Sequence, residues 1–317
     1  MFRSLLAASC FALALAAPAA ADPVGTSLPP DFPVMLDASL GTPLLGFGAD
    51  GPVQRTPVIF VHGNNDTPFA TACNPYGRMQ AVAQHLADNG YAASELWGLG
   101  YQGDQCDLLA DQTIRSSAAH TVTANVDDLR RFVAAVRSYT GARRVDIVAH
   151  SLGVVLAREW LRQDRFARAI VRRLVAIDGP NHGIINCSPN PANYWQAPAN
   201  GGFTPDSAVC QELGSPETSF LQRLNRGEAR DGHRTLVIRN TDASFVYFDV
   251  QDGVIAPVPA EDAFGQPTDF SLSARLKGAG ELGLAGQGVY DPILATGHLG
   301  ILNSPDSWAA TLEFLAP

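Results

Sequence analysis

The stretch that decides the fold is residues 145–158, VDIVAHSLGVVLAR. Its first half is an apolar run rich in β-branched residues, which predicts a buried strand, and its second half has the spacing of an amphipathic helix. Ser151 lies at the bend, with the small residues Ala149 and Gly153 two positions to either side. A tight strand-to-helix turn requires small residues there and exposes the serine hydroxyl above the sheet. The stretch therefore predicts a nucleophilic serine; the alternative is a turn serine that only caps the helix.

The same alternation of strand and helix patterns continues on both sides of this turn. Helical spacing predicts helices over 76–91, from 122 to a stop at Gly141, over 152–161 and over 307–315. Apolar runs predict strands over 56–63, 94–101, 143–150, 172–179 and 234–240. Strands that are apolar throughout and alternate with helices predict an α/β fold with a mostly parallel sheet covered on both faces. Residues 22–55 are expected to be irregular, and two long regions, 184–230 and 241–288, interrupt the pattern.

The N-terminus has the pattern of a secretory signal peptide. Arg3 precedes a short apolar run, which ends in small residues at Ala21. We expect residues 1–21 to be removed before Asp22, leaving residues 22–317 as a single secreted catalytic domain. No later stretch is apolar enough to predict a transmembrane helix.

Four cysteines remain after the predicted cleavage. An even number in an exported chain predicts disulfides, and nearest-neighbour pairing gives Cys73–Cys106 and Cys187–Cys210. Four thiolates binding a metal are the alternative, but the chain has no CxxC pair to support it. We therefore expect no metal site and no cofactor.

The charge balance excludes one class of partner. The chain has 22 Lys and Arg against 31 Asp and Glu, a net charge of −9, and loss of Arg3 makes it more negative. Such a balance argues against binding to nucleic acid.

A serine nucleophile needs a histidine base and a carboxylate to orient that base. The chain order Ser, Asp, His of this strand–turn–helix arrangement favours His298, in ATGHLGIL before the last helix. The carboxylate is expected after the strand TLVIRN, where Asp252 in DGVIAP is preferred and Asp242 is the alternative.

Two backbone N–H groups are needed to stabilise an oxyanion. The residue after the nucleophile, Leu152, supplies one. Asn64, in VHGNND after the first long strand, is the simplest candidate for the other; an ordinary Gly/Asn turn is the alternative.

Four segments, PVIFVHGNND, VDIVAHSLGV, AIDGPNHG and ATGHLGIL, resemble the secreted bacterial class 2 lipases of the α/β-hydrolase fold. PVIFVHGN, YTG with VDIVAHSLGV, and NGYAASELWGLGY are also similar to single-domain extracellular polyhydroxybutyrate depolymerases, although GPNHG fits the lipases better. The resemblance covers residues 56–183 and, beyond them, DGVIAP and GHLGIL. It implies Ser151, Asp252 and His298 as the catalytic triad, with Asn64 and Leu152 as the oxyanion hole.

The predicted activity is hydrolysis of a carboxylic ester by a secreted serine lipase or esterase acting on a lipid. A polyester depolymerase is the second interpretation, and an acyltransferase or peptidase on the same fold is the third. A binding protein that has this fold without activity is the non-enzyme alternative. Residues 186–229 contain several aromatic residues and prolines and predict either a lid or substrate-docking insertion, or a structural cluster. The sequence leaves the oligomeric state open.

Overall fold

A computed structural model describes most of the chain. The described residues are 23–75, 77–106, 120–183, 208–214, 218–241, 248–251, 254–257, 273–285 and 297–317. The strands are β1 (Leu45–Phe47), β2 (Val58–Val61), β3 (Leu96–Gly100), β4 (Val145–His150), β5 (Val171–Ile177), β6 (Thr235–Asn240), β7 (Phe248–Gln251), β8 (Val254–Pro257) and β9 (Gly280–Leu284). The helices are α1 (Met79–Asp88), α2 (Val122–Thr140), α3 (Leu152–Gln163), α4 (Arg165–Ile170), α5 (Ala208–Leu213), α6 (Ser219–Asn225) and α7 (Pro305–Leu315).

Seven strands form one sheet in the order β1-β3-β2-β4-β5-β6-β9. Every neighbouring pair is parallel except β1 with β3, which is antiparallel. Strands β7 and β8 form a separate antiparallel pair. In a parallel sheet all the carboxyl ends lie along one edge, so the turns after β2, β4 and β5 meet there. The predicted α/β architecture is confirmed.

Both faces of the sheet are buried, as the apolar strands predicted. In β2, Ile59 and Val61 face one hydrophobic cluster, which includes residues of α2 and α3, and Val58 and Phe60 face a second, which includes residues of α1. Because successive side chains of a strand point to opposite faces, a strand covered on both sides must be apolar at every position.

Capping residues set the ends of the long helix α2. The Thr121 side chain accepts a hydrogen bond from the backbone N–H of Ala124, and Gly141 has a φ of 69° after the last turn. A hydroxyl at the first position and a left-handed glycine at the end are the usual helix boundaries. The helix predicted from the spacing of residues 122–136, with its stop at Gly141, is confirmed.

Two edge strands were not predicted. The first, β1, lies within the segment expected to be irregular, and β9 lies within the second interrupted region. Both are short and contain glycine, and four of the five β9 residues are not buried. An edge strand has only one neighbour and needs no continuous apolar run, so it leaves a weak pattern in the sequence.

The described part of the 186–229 segment belongs to the core. Helix α5 contributes Val209 and Leu213 to the α2–α3 cluster, and α6 contributes Phe220 and Leu221. The Glu212 carboxylate accepts hydrogen bonds from the N-terminal backbone of α2. These contacts support a structural role for residues 208–225. The rest of the segment, residues 186–207 and 215–217, lies outside the described residues, so the predicted lid or docking role of 186–229 stays a prediction.

The predicted disulfide Cys73–Cys106 is present, with an S–S distance of 2.10 Å. Cys210 is disulfide-bonded as well, but Cys187 lies outside the described residues, so the pairing of these two stays a prediction. Within the part of the chain that the structure describes, none of the helices has the length and apolar character needed to cross a membrane.

Candidate active site

Ser151 occupies a strained turn between β4 and α3. Its backbone has φ 53° and ψ −126°. Its N–H donates to the carbonyl of Ile177 at 3.0 Å, and its carbonyl accepts from Val154 N–H at 3.0 Å. A positive φ is uncommon outside glycine and is kept only where surrounding contacts enforce it. The turn therefore has the geometry expected of a nucleophile at the carboxyl edge of the sheet.

The small residues beside Ser151 are required by close backbone packing. A Cβ atom on Gly153 would lie 2.4 Å from the carbonyl oxygen of His62 and 2.6 Å from that of Val61. Ala149 is fully buried in β4, between β2 and β5. Any larger side chain at residue 153 would push the β2 loop away from the nucleophile.

The loop after β2 lies directly against Ser151. A Cβ atom on Gly63 would lie 2.8 Å from Ser151 Cβ and 3.3 Å from its Oγ. Residue 63 therefore borders the Ser151 hydroxyl, and Asn64 is the next residue in this loop. This proximity is what the predicted role of the Asn64 N–H in an oxyanion hole requires.

Side-chain hydrogen bonds hold this loop in place. The Asn64 Oδ1 atom accepts from Gln102 Nε2 at 3.0 Å and from His120 Nδ1 at 2.9 Å. The backbone N–H of Asn65, at a φ of 54°, donates to Gln102 Oε1 at 3.0 Å. Preorganised backbone donors stabilise an oxyanion because they need no rearrangement during the reaction. His120 is fully buried in this network.

Two buried groups beside the loop have shifted pKa values. Burial lowers the pKa of His62 to about 4, and the neutral ring stacks on Tyr101 at 4.2 Å. Burial raises the pKa of Asp66 to about 7, although Asp66 Oδ1 accepts hydrogen bonds from Thr67 N–H and Asn74 Nδ2. Asp66 is thus a carboxylic acid that the fold favours in its neutral form.

His298 pairs with Asp178. Its Nδ1 atom lies 2.7 Å from Asp178 Oδ2, and both side chains are buried. Asp178 follows β5 with a φ of 47°. Its backbone N–H donates to the carbonyl oxygen of Ile238 at 2.8 Å, and its Oδ1 accepts from the backbone N–H of Asn240 at 3.2 Å. Strand β6 therefore holds both the backbone and the carboxylate of Asp178 in place.

His150 supports the loop that carries His298. Its Nε2–H donates to the His298 carbonyl at 2.9 Å, and the two rings lie 4.4 Å apart. Burial and the neighbouring His298 ring lower the pKa of His150 well below its ordinary value, so it is neutral. Because His150 is the chain neighbour of Ser151, this contact also brings His298 close to the nucleophile turn.

The structure describes some of the predicted site residues but not all of them. Ser151, Leu152, Asn64 and His298 all lie at the carboxyl edge of the sheet, Leu152 as the first residue of α3. Asp252 and its alternative Asp242 lie outside the described residues, so their roles stay predictions. The sequence analysis did not consider Asp178. Its signal is an aspartate directly after a buried strand, between Ser151 and His298 in the chain.

This arrangement can perform proton transfer at a serine. A carboxylate on Nδ1 fixes the imidazole tautomer with its proton on Nδ1, so that Nε2 carries a lone pair that can accept a proton from a hydroxyl. Within the described ranges no group of three or more His, Cys, Asp or Glu is arranged to hold a metal ion.

Comparison with known proteins identifies the family. A profile of the lipase (class 2) family matches residues 55–265, more than half of the chain. A search of curated protein sequences finds no significant match.

Several solved structures are similar to the chain at low sequence identity. Pyrococcus horikoshii acylaminoacyl peptidase is 15% identical with a TM-score of 0.52, over 92% of this chain and 41% of that chain. Bacillus licheniformis lipase BlEst2 is 18% identical with a TM-score of 0.49, over 86% and 98%. Aspergillus fumigatus lipase B is 18% identical with a TM-score of 0.45, over 81% and 52%, so this chain spans about half of that enzyme.

The family match and the α/β-hydrolase architecture agree with the resemblance seen in the sequence. The chain belongs to the class 2 lipase family and is a carboxylic ester hydrolase.

Proposed function

We propose that the protein is a secreted lipase or esterase that cleaves lipid esters through Ser151, His298 and Asp178. The observation that carries the proposal is the 2.7 Å contact between His298 Nδ1 and Asp178 Oδ2, at the same sheet edge as the Ser151 turn. Asp178 takes the place that the sequence analysis gave to Asp252, because one imidazole nitrogen accommodates one orienting carboxylate. The chain order Ser, Asp, His is kept.

In the first half-reaction, Ser151 Oγ attacks the ester carbonyl while His298 Nε2 takes its proton. Asp178 stabilises the imidazolium that forms, and its own position is held by Asn240 N–H. The backbone N–H groups of Asn64 and Leu152 bind the oxyanion. His298 then returns the proton to the leaving alcohol, and water releases the acyl group from Ser151 by the same steps.

Export is the second part of the proposal. The disulfide Cys73–Cys106 supports it, because disulfides persist in oxidising compartments outside the cytosol. The signal-peptide pattern of residues 1–21 supports it independently. N-terminal sequencing of the exported protein should begin at Asp22.

The substrate is tested by one turnover panel. Short-chain and long-chain p-nitrophenyl esters, a triglyceride emulsion and polyhydroxybutyrate granules are offered to the wild type and to Ser151→Ala. We expect ester and triglyceride turnover in the wild type alone, with Ser151→Ala folded by circular dichroism. Turnover of the granules without the triglyceride would favour the polyester depolymerase. Unchanged turnover by Ser151→Ala would overturn the nucleophile assignment.

A further inference from the structure

A cavity lined by arginines lies at the opposite end of α3 from Ser151. Its volume is about 350 Å³, which is within the range of small-molecule sites. The lining side chains include one carboxylate, Glu228, and six guanidinium groups: Arg158, Arg162, Arg168, Arg223, Arg226 and Arg230. The whole chain is acidic, with a net charge of −9. Positive charge is therefore concentrated at this cavity, although the chain as a whole carries a net negative charge.

The cavity is separate from the catalytic site. Arg158 and Arg162 follow Ser151 by seven and eleven positions, or roughly 10–16 Å along the helix axis at 1.5 Å per residue. Thr235, which also lines the cavity, is the first residue of β6, whereas Asn240 at the other end of that strand contacts Asp178. The cavity thus opens towards the amino ends of the strands.

Much of this positive charge is not neutralised within the described ranges. Arg162 pairs with Glu159 at 2.7 Å. Arg223, Arg226 and Arg230 are exposed, and none of the three lies within 4.0 Å of a carboxylate of a described residue. Glu228 is occupied by His182 at 3.2 Å and by the backbone N–H of Lys277 at 2.7 Å.

Arg158 is the buried cation among the residues that line the cavity. Its side chain is held by two neutral amides, with Nη1 2.9 Å from Asn181 Oδ1 and Nη2 2.8 Å from Asn225 Oδ1. Burial lowers the pKa of Arg158 to about 10, which still leaves it charged at neutral pH. Its hydrogen-bond partners are neutral, and the carboxylates of Glu228 and Glu159 favour its charged form from a longer distance; an anion in the cavity would add to that compensation.

We propose that this cavity binds a polyvalent anion that bears phosphate groups. Guanidinium groups bind phosphate through paired, parallel hydrogen bonds, and several of them around one concave site suit closely spaced phosphates better than a single carboxylate. The concave shape and the leucines between the arginines, Leu161 and Leu276, favour a compact ligand over a polymer. The phosphates belong either to a soluble polyphosphate or to a lipid headgroup.

The test measures binding of two probes by the full exported protein. Tripolyphosphate is titrated by calorimetry at constant ionic strength, so that non-specific screening is the same throughout. Vesicles of phosphatidylcholine with and without phosphatidic acid are used in a sedimentation assay. The site variant is Arg223→Ala with Arg226→Ala; the control is Arg143→Ala with Arg144→Ala, two exposed arginines that do not line the cavity and give the same change of charge.

We expect at least one probe to bind the wild type and the control equally, with a Kd roughly tenfold or more higher in the site variant, because charge-assisted hydrogen bonds are strong. Binding of tripolyphosphate alone identifies a soluble ligand, and binding of phosphatidic acid vesicles alone identifies a headgroup. Should the alanine pair fail to fold, Arg223→Lys with Arg226→Lys keeps the charge and should still weaken binding, since lysine lacks the paired donors. Binding that is absent in the wild type, or equally weakened in site and control variants, would overturn the proposal.

Discussion

The pairing of His298 with Asp178 leads to a specific expectation for Asp178→Asn. The asparagine Oδ1 can still accept from Asn240 N–H, now 3.2 Å from Asp178 Oδ1, so the side chain should keep its position. Its amide nitrogen would then face His298 Nδ1, which lies 2.7 Å from Asp178 Oδ2. An amide donor there forces the ring proton onto Nε2, the atom that must accept the proton of Ser151.

The expected loss is large because the wrong tautomer removes the base altogether. Turnover of a short-chain p-nitrophenyl ester should fall by about 10³–10⁴-fold, which corresponds to roughly 4–5 kcal/mol of transition-state stabilisation. KM should change little, since Asp178 does not touch the substrate in the proposed mechanism. The measurement is kcat and KM at neutral pH, with circular dichroism to confirm that the variant folds.

Asp252→Asn is the matched control, because it makes the same chemical change at the carboxylate predicted from sequence. It should retain turnover close to wild type. If Asp252→Asn were the inactive variant and Asp178→Asn were near wild type, the assignment of Asp178 would be refuted and the sequence prediction restored.

Three further perturbations test the surroundings of the site. Gly153→Ala should abolish activity and lower Tm, because its Cβ would lie 2.4 Å from the His62 carbonyl oxygen; an active, equally stable variant would contradict this packing. Replacing both Cys73 and Cys106 by alanine removes a bridge over 33 residues and should cost roughly 3–4 kcal/mol of unfolding free energy in denaturant melts. The raised pKa of Asp66, about 7 against 3.8 unfolded, means that its stabilising protonated form is lost as pH rises through 7. Compared with Asp66→Asn, the wild type should therefore lose unfolding free energy as pH rises from about 4 to about 7. His62 and His150, whose pKa values are lowered, act in the opposite direction but equally in both proteins, so the difference between the two curves isolates Asp66.

The parts of the fold that depend on local pattern could be read from the sequence. The turn at Ser151 was predictable because a buried strand, two small residues and a helix lie within 14 consecutive residues, VDIVAHSLGVVLAR. His298 was predictable from chain order alone. The edge strands β1 and β9 were not, because a short strand with one neighbour carries little apolar pattern.

Asp178, which we propose as the acid, could not be predicted from the sequence, because long-range contacts determine its position. Asp178 is positioned by the register between β5 and β6, through contacts with Ile238 and Asn240 about 60 residues further along the chain. Nothing near AIDGPNHG reveals that register. Asp252 was preferred on its local sequence, but an Asp-Gly pair flanked by apolar residues is also typical of a hairpin turn, so that pattern alone does not identify a catalytic acid.

Strands β4 and β5 are adjacent and parallel, with Ala149 opposite Ala176 and His150 opposite Ile177. If Asp178 is the acid, nucleophile and acid each follow one of these two strands by a single residue, and their spacing is set by central backbone pairing. Strands β7 and β8, which are not part of the main sheet, then supply no residue of the triad. Substitutions in strands β7 and β8 should then leave the spacing of nucleophile and acid unchanged, because that spacing depends on the pairing of β4 with β5.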